Sequence, residues 1–206
     1  MRTPFSILAL AAITGCGPAA YTYSGYWASD HFPLTPAVWT YTNEGDDVDY
    51  MMEVSIIDTE QVDGTDIATF DYVNTDDNNA LLYSIKWASD NYSGIQIHGY
   101  RLADGSWVNF SQPLQVVDRQ GEPNSSIESN VDGYAYTTTF EAYEDCPNMW
   151  TENWQCMKVV ITSEETNMAP FLGTWHWATE FGTSLFQPEG AEFPWKLTSH
   201  DWISAD

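Results

Sequence analysis

Alternation with a period of two constrains this chain more than any other feature. Val48, Tyr50, Met52, Val54 and Ile56 are apolar, and mostly polar residues stand between them. Such a stretch buries one side of a strand and wets the other. Residues 58–66, Asp-Thr-Glu-Gln-Val-Asp-Gly-Thr-Asp, read as a turn cluster. Residues 67–73 read as the next strand and 74–79 as the next turn. The pattern continues through 80–88, 95–102 and 107–110, with turns at 90–94 and 103–106. Residues 118–133, rich in Gly, Pro, Asn and Ser, read as a longer loop. Strand pattern resumes at 134–143, 157–162, 175–179, 183–186 and 195–202. About a dozen strands in roughly 170 residues predict an all-β fold, a single antiparallel meander domain. Ten Trp, twelve Tyr and nine Phe are enough to fill a concave face. The expected shape is therefore a curved sheet or half-barrel, with a sandwich or a closed barrel as alternatives. No helical period runs beyond two turns, and no internal repeat stands out.

The charge balance narrows the partners. Thirty acidic residues face six Lys and Arg, a net charge of −24 over 206 residues. From Cys16 to Ile85 there is no Lys or Arg, while Asp46, Asp47, Asp49, Asp58, Glu60, Asp63, Asp66, Asp76 and Asp77 fall within that span. A surface of this kind relies on water, cations or a basic partner. Nucleic acid is excluded as a partner, because phosphate binding needs a basic patch. An anionic bilayer would repel the body of the protein as well.

The N-terminus supplies a different route to a membrane. Arg2 precedes the apolar run 5–13, which ends at Ile13-Thr14-Gly15-Cys16. A basic start, a short apolar stretch and small residues make a cleavable leader. The run is about half the roughly 20 residues of a transmembrane helix. The tetrapeptide resembles the lipobox of bacterial lipoproteins. That resemblance implies that residues 1–15 are a signal peptide and that Cys16 carries the lipid, acyl chains such as palmitate. More than one chain is needed for lasting attachment, since each buried methylene contributes only about 0.8 kcal/mol. The implied location is the cell envelope, with the membrane as a partner through Cys16. The resemblance to enteric lipoproteins implies that Asp after the cysteine would favour the inner membrane, so Gly17 leans towards the outer membrane. An ordinary secretory site near Ala9, Ala11 and Ala12 is the alternative. Residues 16–35 then form an aromatic tether and 36–206 the antiparallel β domain.

Lipid on Cys16 leaves Cys146 and Cys156 as a pair, and an oxidising export route predicts a disulfide between them. Closing a loop of that size stabilises a fold by about 2.5–3 kcal/mol. A second resemblance lies in His31-Phe32-Pro33-Leu34 followed by Trp39-Thr40-Tyr41. It is similar to a Phe-Pro-Leu…Trp-Thr-Tyr opening of uncharacterised exported bacterial β-proteins. It implies a β fold and export, with no activity attached.

Few residues suggest chemistry. Calcium takes six to eight oxygens, but none of the acidic turns has the spacing of a calcium-binding loop. Glu141, Glu144 and Asp145, or Asp49 and Glu53, could pair as glycosidase carboxylates, yet no flanking pattern marks them. His31, His98, His176 and His200 lack metal-ligand spacing, so neither a metal site nor a cofactor is expected. Nucleophile-elbow, phosphate-loop and dinucleotide motifs are missing. The ligand-binding candidates are Trp150 and Trp154, inside the expected disulfide loop. Two pinned indoles could stack on sugar rings or anchor a partner, or fold back over a sheet edge. The chain thus reads as a lipid-anchored, acidic, non-catalytic binding or structural module, its partner a polysaccharide or an envelope protein. The alternatives are a carbohydrate-binding or calcium-dependent surface module using Trp150 and Trp154, and an envelope glycoside hydrolase.

Overall fold

The computed structural model describes residues 27–44, 49–147, 154–164 and 169–202. The leader, Cys16 with the start of the tether, Asp46, Asp47 and Trp150 lie outside the described residues. The strands are β1 (Ala37–Glu44), β2 (Asp49–Val62), β3 (Thr65–Asn74), β4 (Ala80–Asp90), β5 (Gly94–Leu102) and β6 (Val108–Val117). They continue as β7 (Ser125–Val131), β8 (Tyr134–Asp145), β9 (Gln155–Ser163), β10 (Gly173–Ala178), β11 (Gly182–Pro188) and β12 (Trp195–Trp202).

Two-residue turns set the rhythm. Asp63 and Gly64 have φ of 51° and 88°, the left-handed pair that a type I′ hairpin turn requires. β2 and β3 therefore run to within two residues of each other. The polar stretch 58–62, expected to be part of a turn, is strand, and the turn shrinks to Asp63-Gly64. Asp132 and Gly133, at φ 53° and 91°, join β7 to β8 in the same way.

All the strands lie in one 12-stranded antiparallel sheet, ordered β6-β5-β4-β3-β2-β1-β12-β11-β10-β9-β8-β7. Chain neighbours pair except β6 with β7, and the first strand pairs with the last, from Ala37↔Trp202 to Thr42↔Lys196. The result is the expected all-β meander, a single sheet curved into a nearly closed barrel rather than a sandwich. Among the described residues the ladder is open only between β6 and β7.

Alternation puts the large side chains inside. Trp39 on β1, Phe70 on β3, Trp87 on β4, Val159 on β9 and Trp175 and Trp177 on β10 are all buried. The ring of Trp87 meets Trp175 and Trp177 edge-on at 5.6 and 5.9 Å, and Trp175 stacks on Phe186 at 3.8 Å. Buried indole and phenol groups need partners. Trp39 Nε1 donates to Phe181 O at 2.8 Å, Trp175 Nε1 to Phe171 O at 2.9 Å and Tyr41 Oη to Thr183 O at 2.8 Å.

A short 3-10 turn, Ala28–His31, leads into this core. Phe32 follows it, 3% exposed, with its ring 4.8 Å from Trp87, 5.3 Å from Trp177 and 5.6 Å from Phe70. The main chain pins the segment: Ala28 N donates to Arg119 O at 3.0 Å and Glu180 N to Asp30 O at 2.8 Å. The last part of the expected tether is thus built into the barrel. Beside Phe32 the interior void is about 10 Å³, on the scale of a single water.

The open seam has local causes. Against β5, the register of β6 jumps from Ile97↔Leu114 to Gly99↔Asn109, so residues 110–113 bulge off the ladder. Pro113 offers no N–H to a neighbouring strand. Side chains take over. The Asp132 carboxylate accepts from Ser111 N at 3.1 Å, and Gln112 Nε2 donates to Asn130 O at 2.9 Å. Thr138 Oγ1 donates to Gln115 O at 3.1 Å, with Ile127 O at 3.4 Å, and so bridges β6 and β7 from β8.

Candidate functional site

The seam widens into a cleft at the end where β6 passes into β7. Two consecutive turns build its mouth. Gly121 N donates to Asp118 O at 2.9 Å, and Ser125 N to Glu122 O at 3.2 Å. Asn124 sits within the second turn at φ 63°, its N–H donating to Glu141 O at 3.1 Å. Gly121 lies flat on the barrel wall. A Cβ there would stand 2.5 Å from Val117 Cγ1 and 3.3 Å from Phe140 Cδ1, too close without displacement of both.

The cleft encloses about 290 Å³. Val116, Ile127, Thr138 and Phe140 line its inner part, and Asp118 and Glu122 belong to its exposed rim. Arg119 stands between those acids in sequence but is not part of the lining; its guanidinium lies 5.7 Å from the Trp27 ring centre. The lining therefore combines an apolar bed, the hydroxyl residues Thr138 and Ser125, the amide residue Gln120 and the acidic residues Asp118 and Glu122, with no Lys, Arg or His.

The residues singled out from sequence lie elsewhere. Cys146 and Cys156 form a disulfide with Cα atoms 4.8 Å apart. Cys146 N donates to Trp154 O at 2.9 Å, which closes the base of the loop. Cys156 is buried, its Sγ 3.0 Å from Ser184 Oγ, and Ser184 Oγ donates to His176 O at 3.0 Å. Trp154 is half-buried, and its ring meets Phe181 edge-on at 4.5 Å.

Two of the carboxylates considered for catalysis, Glu141 and Glu144, sit in polar pairs on the outer wall. Glu141 Oε2 is 2.7 Å from Lys158 Nζ, and Glu144 Oε1 is 2.8 Å from His176 Nε2. Burial lowers the His176 pKa, against the opposing pull of Glu144. The acidic turns act locally. Asp76 accepts from Met51 N at 2.6 Å, Asp66 from Gln61 Nε2 at 3.0 Å, and Glu60 pairs with Lys86 at 2.8 Å. Among the described residues no three His, Cys, Asp or Glu side chains gather into a metal site. Lys86 and Arg101 each stand 5.1 Å from the centre of the Trp107 ring, a cation–π cluster on the same wall.

Sequence reasoning missed the cleft because it treated 118–133 as loop. A signal was present. Ser125, Ile127, Ser129 and Val131 alternate with Ser126, Glu128 and Asn130, and Asp132-Gly133 follows as a hairpin turn. Two of the four inward positions are Ser, which hid the period. In comparisons with known proteins, no family model, no curated protein and no solved structure matches the chain.

Proposed function

We propose that this chain is an acidic, non-catalytic binding module of the cell envelope, held at the outer membrane by lipid on Cys16, and that it binds at the seam cleft. The observation that carries the reading is the contrast between a barrel interior filled by its own aromatic rings and a cleft of about 290 Å³ at the seam. A carrier needs an open lumen, and Phe32 with Trp87 and Trp177 occupies that place here.

Two further features support the reading. Apolar residues face inward while Glu60, Lys86, Asp71 and Arg101 sit on the outer wall. A barrel that spans lipid has the reverse pattern, so attachment falls to the acyl chains. No helix among the described residues is long and apolar enough to cross a membrane. Within the cleft, the Thr138 hydroxyl is directed at main-chain carbonyls, and the lining supplies no base paired with a nucleophile.

Replacing Cys16 with Ser should release a folded protein from the membrane fraction; continued retention would sink the anchor. A Ser125→Phe substitution fills the cleft mouth. Ligands that raise the wild-type melting temperature in a screen of glycans, lipids and small organic ions should leave this variant unmoved. An equal response would move binding elsewhere, first to the loop carrying Trp150 and Trp154.

A further inference from the structure

We infer that the seam cleft is a site for a small organic cation, an ammonium group on an apolar body; this rests on the binding role proposed for the cleft. The lining sorts itself by chemistry. Phe140 and Val116 are buried and Ile127 half-buried, giving a bed that gains from covering apolar surface. Asp118 and Glu122 are both exposed at the rim, one at the start of each turn, so a ligand seated on the bed meets negative charge at the mouth. The one basic residue of this loop, Arg119, is engaged with Trp27 and does not neutralise them within the lining.

Other ligand classes fit less well. An anion would meet two carboxylates in a chain of net charge −24. A hard metal ion needs a cage of six or more oxygens, and no three-ligand group gathers among the described residues. A long acyl chain exceeds the space, because about 290 Å³ lies at the lower end for small-molecule sites. Strand addition by a peptide is opposed by Pro113 and by the side-chain caps on Ser111 N and Asn130 O, devices that blunt a sheet edge. A compact amine needs only the bed and one or two carboxylates, and both are present.

The test is calorimetric titration of the full chain in non-ionic detergent at 0.15 M salt (about physiological). The probes are phenethylamine, its neutral counterpart 2-phenylethanol and the anionic 3-phenylpropionate. The amine should bind about tenfold or more tighter than the alcohol, the range of a charge-assisted contact, and the carboxylate should not bind. Asp118→Asn with Glu122→Gln should weaken the amine by a similar factor, and Ser125→Phe should block it. Asp104→Asn with Glu192→Gln removes the same charge elsewhere and should change little. If amine and alcohol bind alike and Ser125→Phe blocks both, the cleft binds but its ligand is not a cation, and this inference falls alone. If the amine binds every variant equally, diffuse charge is responsible and the cleft assignment falls too. If the amine does not bind the wild type, the cation inference is wrong, while the screen with Ser125→Phe still decides the role of the cleft.

Discussion

The paired wall of the barrel, from which β1, β4 and β10 send their aromatic rings inward, and the seam between β6 and β7 come from the same meander, yet they solve burial in opposite ways. On the wall, inward positions carry Trp175, Trp177, Trp87 and Trp39, and the main-chain ladder is continuous. On β7 the inward positions carry Ser125, Ile127, Ser129 and Val131, and the ladder to β6 is replaced by three side-chain bridges. Large rings pull strands into register because they must pack on one another. Small polar residues do not, so the sheet can part there and leave space. Rigidity and binding capacity are thereby separated within one sheet.

The sharpest way to break this comparison is to delete a ring from the wall. Trp87 is fully buried among Phe32, Trp175 and Trp177. Trp87→Ala should cost about 3–5 kcal/mol in urea unfolding, the usual range for a large buried aromatic. Ile127→Ala at the seam should cost about 1 kcal/mol, because its side chain already borders open space. Equal losses would mean that the seam is packed as tightly as the wall.

Acid should act on the wall side as well. His31 lies beneath the entering segment, 1% exposed, with Thr179 Oγ1 3.1 Å from its Nδ1 and Tyr143 at a ring distance of 5.4 Å. Burial lowers its pKa to about 4, against the opposing effects of Asp30 and of the Trp177 main chain. The unfolded chain takes up a proton near pH 6.5, while the folded chain resists until about pH 4. Stability is therefore intact above pH 6.5 and falls as pH drops through that window, by up to roughly 3 kcal/mol from this group. His31→Gln should remove that part of the acid sensitivity and leave the carboxylate part. Parallel pH profiles for the two proteins would show that His31 is not the responsive group.

The fold was legible from sequence where burial is one-sided and turns are short. The period of two at 48–56 marks the first part of β2 and 67–73 most of β3, while the polar residues 58–62 hid the strand that runs on to Asp63-Gly64. The disulfide was legible from cysteine number once Cys16 was set aside. The seam was not legible, for two physical reasons. The inward face of β7 mixes Ser with Ile and Val, so hydrophobicity does not mark it. The bulge at 110–113 depends on how β6 meets β5 and β7, which no local pattern states. Phe32 was visible as part of Phe-Pro-Leu, but its place among Phe70, Trp87 and Trp177 required the closed sheet. The cleft inherits both gaps, since Asp118 and Glu122 face it only after two turns have folded back on Val117 and Phe140.

The smallest expected effect tests whether the seam opens separately from the wall. Thr138 is 1% exposed, and from β8 its hydroxyl reaches carbonyls on both β6 and β7. Thr138→Val keeps the shape and removes the donor, leaving Gln115 O without that partner. The loss should be about 1 kcal/mol, too small to unfold the barrel but enough to raise local opening roughly fivefold. Amide hydrogen exchange reads this directly. Amides of Gln115, Val117, Ile127 and Glu128 should exchange faster, while those of Trp175 and Trp177 keep their protection. If wall and seam amides accelerate together, the barrel opens as one unit and the seam has no independent motion. If only the seam responds, a side-chain hydroxyl on β8 sets how readily the cleft admits a ligand. Fractional opening would then scale with the on-rate of the amine in stopped-flow mixing, which ties a single hydroxyl contact at the seam to binding kinetics.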